Sequence, residues 1–289
     1  MIALVDADEI AYKVALAYQR KWYVITKDGK PKWKYHLKEE AAESIGNRLD
    51  LDMEVEIEIL ELTGVKERIN TVISRILFNT NSSDIKFYLS GANNFRFNLA
   101  TLQPYKGNRD PSTKPHYLES IKEEFRSRGA EYVDFLEGDD LLSAYNSIIT
   151  DKTVICSTDK DLRTVPSLNY NIDTKKLKFI SEDEGRYNFW YQVLIGDSTD
   201  NIPSPHLLGP ATAEKILKES KGKGDMHYYQ NILKEYPKFL KAKNKSGDYR
   251  TKWYNGCEKS IEEVIWEVGN LLWMHRTLDP EERWSIPSV

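Results

Sequence analysis

The stretch Glu137-Gly138-Asp139-Asp140 places three carboxylates within four residues. Residues 131–136 before it are predicted to form a strand, and an amphipathic helical pattern begins at Leu141. In α/β proteins the active site lies outside the carboxyl ends of the strands, at corners of this kind. Carboxylates this close repel one another, and a divalent cation commonly neutralises them. The alternative is that Asp139 and Asp140 only cap the helix and interact with its positive end.

Length and composition are those of an ordinary globular protein. The 289 residues suffice for one large core, or for a core with a smaller appendage. No apolar run approaches the roughly 18 residues of a membrane helix, and the N-terminus lacks the features of a signal peptide. Cys156 and Cys257 are the only cysteines, which excludes a disulfide framework and a four-thiolate zinc site. We therefore expect a cytoplasmic protein without a membrane partner.

Charge is distributed unevenly along the chain. The net charge of −4 argues only weakly against a nucleic-acid partner. Residues 96–128 contain seven Lys and Arg against four Asp and Glu, and residues 218–252 contain ten against four. These basic regions are either solvated surface or a nucleic-acid-binding surface, and the second interpretation is the more specific one.

Secondary structure is predicted from apolar patterns and turn residues. The apolar runs 2–5, 85–89 and 153–156 indicate buried parallel strands, and residues 21–37 indicate a β-hairpin about Asp28-Gly29. Residues 55–59 fit either a helix or a strand. One helix is predicted from about 116 to 128 and ends at Gly129. A second helix follows a glycine turn and has Pro210 near its first turn. A third helix is predicted at 261–272.

Acidic residues recur at the ends of successive predicted elements, without any accompanying histidine. They are Asp6, Glu137, Asp139, Asp140, Asp159, Asp161, Asp197 and Asp200. All-oxygen ligation selects Mg²⁺ or Mn²⁺ over zinc, and this many carboxylates exceed what one ion can use. Two metals about 4 Å apart stabilise the attacking and leaving oxygens in phosphodiester hydrolysis. Lys106 and Arg109, in a loop-like segment, would neutralise the scissile phosphate.

Five motifs in this order resemble those of the 5′-nuclease superfamily, which includes flap endonucleases and the 5′–3′ exonuclease domain of bacterial DNA polymerase. They are Val5-Asp6-Ala7-Asp8, Tyr105-Lys106-Gly107-Asn108-Arg109, Glu137-Gly138-Asp139-Asp140, Ser157-Thr158-Asp159-Lys160-Asp161 and Gly196-Asp197-Ser198-Thr199-Asp200-Asn201-Ile202-Pro203. The resemblance covers about residues 1–217 and is strongest to phage-encoded 5′–3′ exonucleases of replication and recombination.

The resemblance implies an α/β fold with a PIN-like parallel-sheet core flanked by helices over residues 1–185. It implies a helical arch at about 91–130 and a helix–hairpin–helix DNA-binding region within 186–289. Asp6, Glu137, Asp139, Asp140 and Asp159 would surround one Mg²⁺ or Mn²⁺, and Asp161, Asp197 and Asp200 would lie toward a second. Tyr105, Lys106 and Arg109, together with Gly209, Thr212 and Lys215, would bind DNA. A K⁺ ion at the hairpin is a further expectation.

The implied activity is Mg²⁺-dependent 5′–3′ exonuclease action on duplex DNA with 5′ ends, nicks or flaps. Flap endonuclease activity and RNase H activity on RNA–DNA hybrids would accompany it, in a monomer of the host cytoplasm. Two residues depart from the family pattern: Ser90 stands where the family has an aspartate, and Leu207-Leu208-Gly209 replaces Gly-Ile-Gly. The alternatives are a catalytically weakened, structure-specific DNA-binding protein and a PIN-type ribonuclease.

Overall fold

A five-stranded sheet forms the centre of the computed structural model, which describes residues 1–203, 208–240 and 259–287. Its strands are β1 (Ile2–Asp6), β5 (Asp84–Tyr88), β6 (Thr153–Cys156), β7 (Ser167–Asn171) and β8 (Lys176–Ile180), in the order β5-β1-β6-β7-β8. All neighbouring strands are parallel except β8, which pairs antiparallel at the edge. The predicted α/β class is therefore confirmed.

Among the described residues, the other elements are one small sheet and ten α-helices, with three short 3₁₀ turns. The small sheet contains β2 (Gln19–Lys27), β3 (Lys30–Tyr35) and β4 (Asp52–Ile59). The described helices are α1 (Ala7–Leu16), α2 (Lys38–Ile45), α3 (Val65–Thr80), α4 (Arg96–Leu99), α5 (Leu118–Ser127), α6 (Gly138–Ile148), α7 (Glu182–Ile195), α8 (Pro210–Leu217), α9 (Asp225–Leu240) and α10 (Ile261–Leu272).

Both faces of the sheet are buried at the central strands β1 and β6, as is usual for parallel strands. Successive side chains of a strand point to opposite faces, so Val5 packs with Ile10 of α1 and Phe125 of α5 on one side. Leu4 packs with Leu141 of α6 on the other. The register pairs Val5 with Phe87 and with Cys156. The carboxyl ends of β1, β5 and β6 therefore meet at one edge.

The small sheet is antiparallel, in the order β3-β2-β4. The predicted hairpin about Asp28-Gly29 is confirmed, and both turn residues have positive φ (53° and 69°). Residues 55–59, which the sequence left undecided, belong to strand β4. Ile25 of β2 packs with Ala41 of α2 in a small core of its own.

The predicted strand at residues 131–136 is wrong. Only Glu131 bridges in parallel to Tyr88. The chain then bends through Phe135, at φ 75°, into α6. Gly91 permits this crossing, since a Cβ on it would lie 2.2 Å from the Val133 carbonyl oxygen. The predicted arch region 91–130 contains α4, a 3₁₀ turn at 111–113 and α5, connected by irregular segments.

The C-terminal helices enclose a second core. Trp190 of α7, Leu217 of α8, Tyr228 of α9 and Ile265 of α10 are buried together. The predicted helix 261–272 is confirmed with its exact bounds, and Trp284 packs against Gly269, whose Cβ would lie 2.5 Å from the indole ring. The described residues do not include 204–207, which belong to the predicted hairpin and contain Leu207. They also do not include 241–258, which contain Cys257 and much of the basic segment. Within the described part, no helix is both long and apolar enough to span a membrane.

Candidate active site

Two adjoining polar cavities lie at the carboxyl edge of the central sheet. The first, about 360 Å³, is lined by Asp6, Asp8, Ser90, Lys106, Arg109, Lys122, Glu137, Asp139 and Asp159, among others. The second, about 320 Å³, is lined by Tyr105, Lys106, Arg109, Glu137, Asp139, Asp159, Lys160, Asp161, Asp197 and Asp200, among others. Seven of the eight predicted carboxylates thus line one or both cavities, although they are dispersed over the sequence from residue 6 to residue 200.

Asp6 is the last residue of β1 and the N-cap of α1. Its Oδ1 accepts a hydrogen bond from the Glu9 N–H at 2.9 Å, and its Oδ2 accepts one from Ser157 Oγ at 3.1 Å. Burial raises the pKa of Asp6 to about 8, and the nearby carboxylates of Asp8 and Glu9 add to the rise. The strand end therefore fixes an acid whose charge the protein alone does not neutralise.

Asp139 and Asp159 lie in the same unneutralised environment. Burial raises the pKa of Asp139 well above its usual range, and the charges of Asp159 and Asp6 raise it further. The pKa of Asp159 rises to about 6, through burial and then the charge of Asp161. Within the described part of the chain, Asp139 Oδ1 is buried and accepts no hydrogen bond.

The donor set of these acids suits a hard divalent cation. All the candidate ligands are oxygens, and a cation would relieve the repulsion that raises the pKa values of Asp6, Asp139 and Asp159. Among residues 1–203, 208–240 and 259–287, no three carboxylate, His or Cys side chains converge as a ready-made metal-binding group. A bound ion would therefore have to draw neighbouring carboxylates together.

The predicted basic loop lies against the acids. The Tyr105 hydroxyl lies 2.9 Å from Glu137 Oε2 and 2.8 Å from Asp200 Oδ2. Lys106 forms an ion pair with Glu137, and its Nζ lies 3.5 Å from Asp200 Oδ2, while Arg109 pairs with Asp200. The Lys106 N–H also donates to the Asp200 carbonyl at 2.8 Å. These contacts place Lys106 and Arg109 at the junction of the two cavities and Tyr105 in the second cavity.

Lys160 forms ion pairs with two acids of the second cavity, contacts that were not predicted from the sequence. Its Nζ lies 3.0 Å from Asp161 Oδ1 and also pairs with Asp197. Burial alone would raise the pKa of Asp197, but the hydrogen bond and charge of Lys160 leave it below its usual value. In the sequence, the position of Lys160 between Asp159 and Asp161 is the feature that could have predicted these contacts.

Asp140 does not line either cavity, so the structure corrects its assignment as a metal ligand. Its side chain is fully buried, and its Oδ2 and Oδ1 accept from Arg96 Nη1 and Nη2 at 2.6 and 2.8 Å. Its Oδ2 also accepts from the Glu137 N–H, completing a capping box. Consecutive helical residues point about 100° apart, so Asp139 faces the cavity while Asp140 faces the protein interior.

Ser90 caps helix α6. Its Oγ accepts a hydrogen bond from the Gly138 N–H at 3.0 Å, and its own N–H donates to Asp8 Oδ2 at 2.6 Å. Asp8 also pairs with Lys122 of α5 at 2.6 Å. Asp8 belongs to the first of the five motifs, but its role was not predicted from the sequence.

The predicted DNA-binding residues of α8 lie apart from these cavities. Gly209 is the N-cap of the helix, Pro210 is its first residue as predicted, and Gly209, Thr212 and Lys215 are all exposed. Exposed main-chain N–H groups at a helix start suit a phosphate.

No protein-family model matches the chain. In structure it is similar to a mutant of the T5 5′-exonuclease, with 12% identity, coverage of 83% of this chain and 84% of that one, and a TM-score of 0.48. It is similar to the bacteriophage T5 flap endonuclease in a pseudo-enzyme–product complex with DNA and metal ions (14%, 83% and 86%, 0.48). It is also similar to the catalytic core of Rad2 in complex with a DNA substrate (14%, 99% and 83%, 0.46).

Proposed function

We propose that this chain is a divalent-metal-dependent 5′–3′ exonuclease that hydrolyses phosphodiester bonds from the 5′ ends of duplex DNA. The observation that carries the proposal is a group of carboxylates, most of them buried or half-buried, at the carboxyl edge of a mostly parallel sheet. Asp139 Oδ1 is unpartnered within that group among the described residues, and the basic loop 104–109 borders it. The order of the five sequence motifs supports the same conclusion.

The carboxylates would hold two Mg²⁺ or Mn²⁺ ions. Asp6, Glu137, Asp139 and Asp159 suit one ion, and Asp161, Asp197 and Asp200 lie together in the second cavity. Such ions lower the pKa of a bound water and stabilise charge on the phosphate oxygens.

The protein's own cations would bind and orient the substrate. Lys106 and Arg109 lie where the two cavities meet, so their charges are placed to neutralise a phosphate that reaches the acids. Tyr105 is held between Glu137 and Asp200 and supports this loop. The start of α8 would hold the DNA backbone. The K⁺ ion expected at the predicted hairpin falls on residues outside those that the structure describes.

We extend the proposal to nicked and flapped DNA, to flap endonuclease activity, and to RNA in RNA–DNA hybrids, in a monomeric protein. These substrates share the 5′ end and the duplex backbone that the proposed site would recognise. The phosphate contacts carry no sequence information, so we expect cleavage with little sequence preference.

The test is cleavage of duplex DNA labelled at the 5′ or at the 3′ end, with Mg²⁺ or with EDTA. We expect early release of 5′-labelled nucleotides only when Mg²⁺ is present. Asp139→Asn should abolish release while duplex binding survives, and Asp134→Asn, at an exposed acid that does not line the cavities, is the matched control. Early release from the 3′ end, or full activity in EDTA, would refute the proposal.

A second candidate is a structure-specific DNA-binding protein with weakened catalysis. Ser90 favours it, because its uncharged hydroxyl is engaged in capping α6 and adds no negative charge to the first cavity. Tight duplex binding without metal-dependent release would support this candidate. The ribonuclease alternative predicts faster cleavage of single-stranded RNA than of duplex DNA in the same assay.

A further inference from the structure

Asp8 lies inside the first cavity without a role in the proposed chemistry. It belongs to the first turn of α1, two residues after Asp6, and lines the cavity together with Glu137 and Asp139. An acid in the first turn of a helix interacts favourably with the helix dipole. That general preference does not explain the particular contacts of this carboxylate.

The contacts of Asp8 place a carboxylate at the junction between β5 and α6. Its Oδ2 accepts a hydrogen bond from the Ser90 N–H at 2.6 Å. A Cβ on Gly138 would lie only 3.3 Å from the same oxygen. Ser90 Oγ is engaged with the Gly138 N–H, so Asp8 adds a negative charge at this junction that Ser90 does not supply.

A lysine from another helix neutralises Asp8 within the cavity. Lys122 Nζ lies 2.6 Å from Asp8 Oδ1, and the two side chains are only 18% and 24% exposed. Asp139 Oδ1, buried and without a hydrogen-bond partner among the described residues, belongs to the same cavity. The cavity therefore combines a carboxylate paired with an ammonium group and a buried oxygen that no described residue hydrogen-bonds.

We propose that Asp8 is a ligand of the divalent cation in the first cavity and that Lys122 is its counter-ion when no metal is bound. The inference rests on the proposed function, because it concerns the same metal site. In this arrangement Asp8 provides the carboxylate that Ser90 cannot, and Ser90 orients it through its main-chain N–H.

The test is Mn²⁺ binding to metal-stripped protein, followed through the electron paramagnetic resonance signal of free Mn²⁺. Asp8→Asn keeps an oxygen that can accept from the Ser90 N–H but removes the charge. We expect its Mn²⁺ dissociation constant to rise at least tenfold. Asp173→Asn is the matched control, because that acid also pairs with a lysine but does not line this cavity, and its affinity should stay within twofold of the wild type.

Two further variants test the same assignment in the opposite direction. Ser90→Asp in the Asp8→Asn background returns a carboxylate to the junction and should recover most of the lost affinity. Lys122→Met removes the competing ammonium group and should tighten Mn²⁺ binding severalfold.

The outcomes separate this inference from the proposed function. Wild-type protein that binds no Mn²⁺ would overturn both. A folded Asp8→Asn variant that binds Mn²⁺ within twofold of the wild type would overturn the inference alone, leaving Asp8 as a structural partner of Lys122. If circular dichroism shows that Asp8→Asn is unfolded, Lys122→Met decides, and unchanged or weaker Mn²⁺ binding by that variant counts against the proposal.

Discussion

Replacing Arg96 by methionine should destabilise the fold, chiefly through the loss of the cation that pairs with buried Asp140. Arg96 is fully buried and donates four hydrogen bonds, two to the Asp140 carboxylate and one each to the Leu271 and Trp273 carbonyls. Asp140 is itself fully buried. The substitution therefore leaves a carboxylate inside the protein without its cation.

The expected loss in the free energy of unfolding is about 3–5 kcal/mol, the usual result of removing one partner of a buried ion pair. Burial alone would raise the pKa of Asp140, and Arg96 outweighs this effect and lowers it. Without Arg96 the pKa of folded Asp140 should lie above that of the unfolded chain. The destabilisation should therefore shrink as the pH falls and Asp140 takes up a proton.

Urea denaturation of the metal-stripped protein at several pH values measures both effects. The double variant Arg96→Met/Asp140→Leu should recover at least half of the loss, since an apolar pair can replace a buried ion pair. Asp140→Asn should likewise lower stability but leave Mn²⁺ affinity within twofold. A loss below about 1 kcal/mol for Arg96→Met would refute this account of the pair. A tenfold fall in Mn²⁺ affinity for Asp140→Asn would return Asp140 to the metal site.

Three further predictions concern the site and its supports. Lys106→Ala should slow cleavage at least tenfold with little change in Mn²⁺ affinity, and a parallel loss of metal binding would contradict its assignment to the phosphate. Glu267→Gln should lower kcat more than DNA affinity. The buried Glu267 carboxylate accepts hydrogen bonds from the Thr101 and Leu102 N–H groups at 2.7 and 2.8 Å, and it therefore holds the segment that leads into the basic loop. The conservative substitution Glu267→Asp keeps the carboxylate and should therefore retain more of the cleavage rate than Glu267→Gln. The metal-stripped protein should lose stability as the pH rises from about 4 to 8, since the pKa of Asp6 is raised from 3.8 to about 8 and folded Asp6 keeps a proton that the unfolded chain releases. Saturating Mn²⁺ should reverse this loss of stability with pH, as measured by urea denaturation. A free energy of unfolding that rises with pH in EDTA would contradict the raised pKa of Asp6.

Sequence patterns sufficed for the elements that local rules define. Short apolar runs predicted β1 and β6, the Asp28-Gly29 turn predicted the hairpin, and the apolar face of residues 261–272 predicted α10. Acids directly after predicted strands indicated a common site, because parallel strands end at one edge of a sheet. The strand predicted at residues 131–136 is absent from the structure. There the chain crosses close to Gly91, and only Glu131 forms a strand bridge.

The sequence by itself determined the α/β class and the set of acids, since the first depends on periodicity and the second on residue type. Only the tertiary structure decided which acids face the cavities. Asp139 and Asp140 are neighbours in sequence, yet the helical turn directs one to the cavity and pairs the other with Arg96, 44 residues away. Asp8, Lys122 and Lys160 acquire their roles in the same way, because their partners come from distant segments that meet only when the sheet has formed.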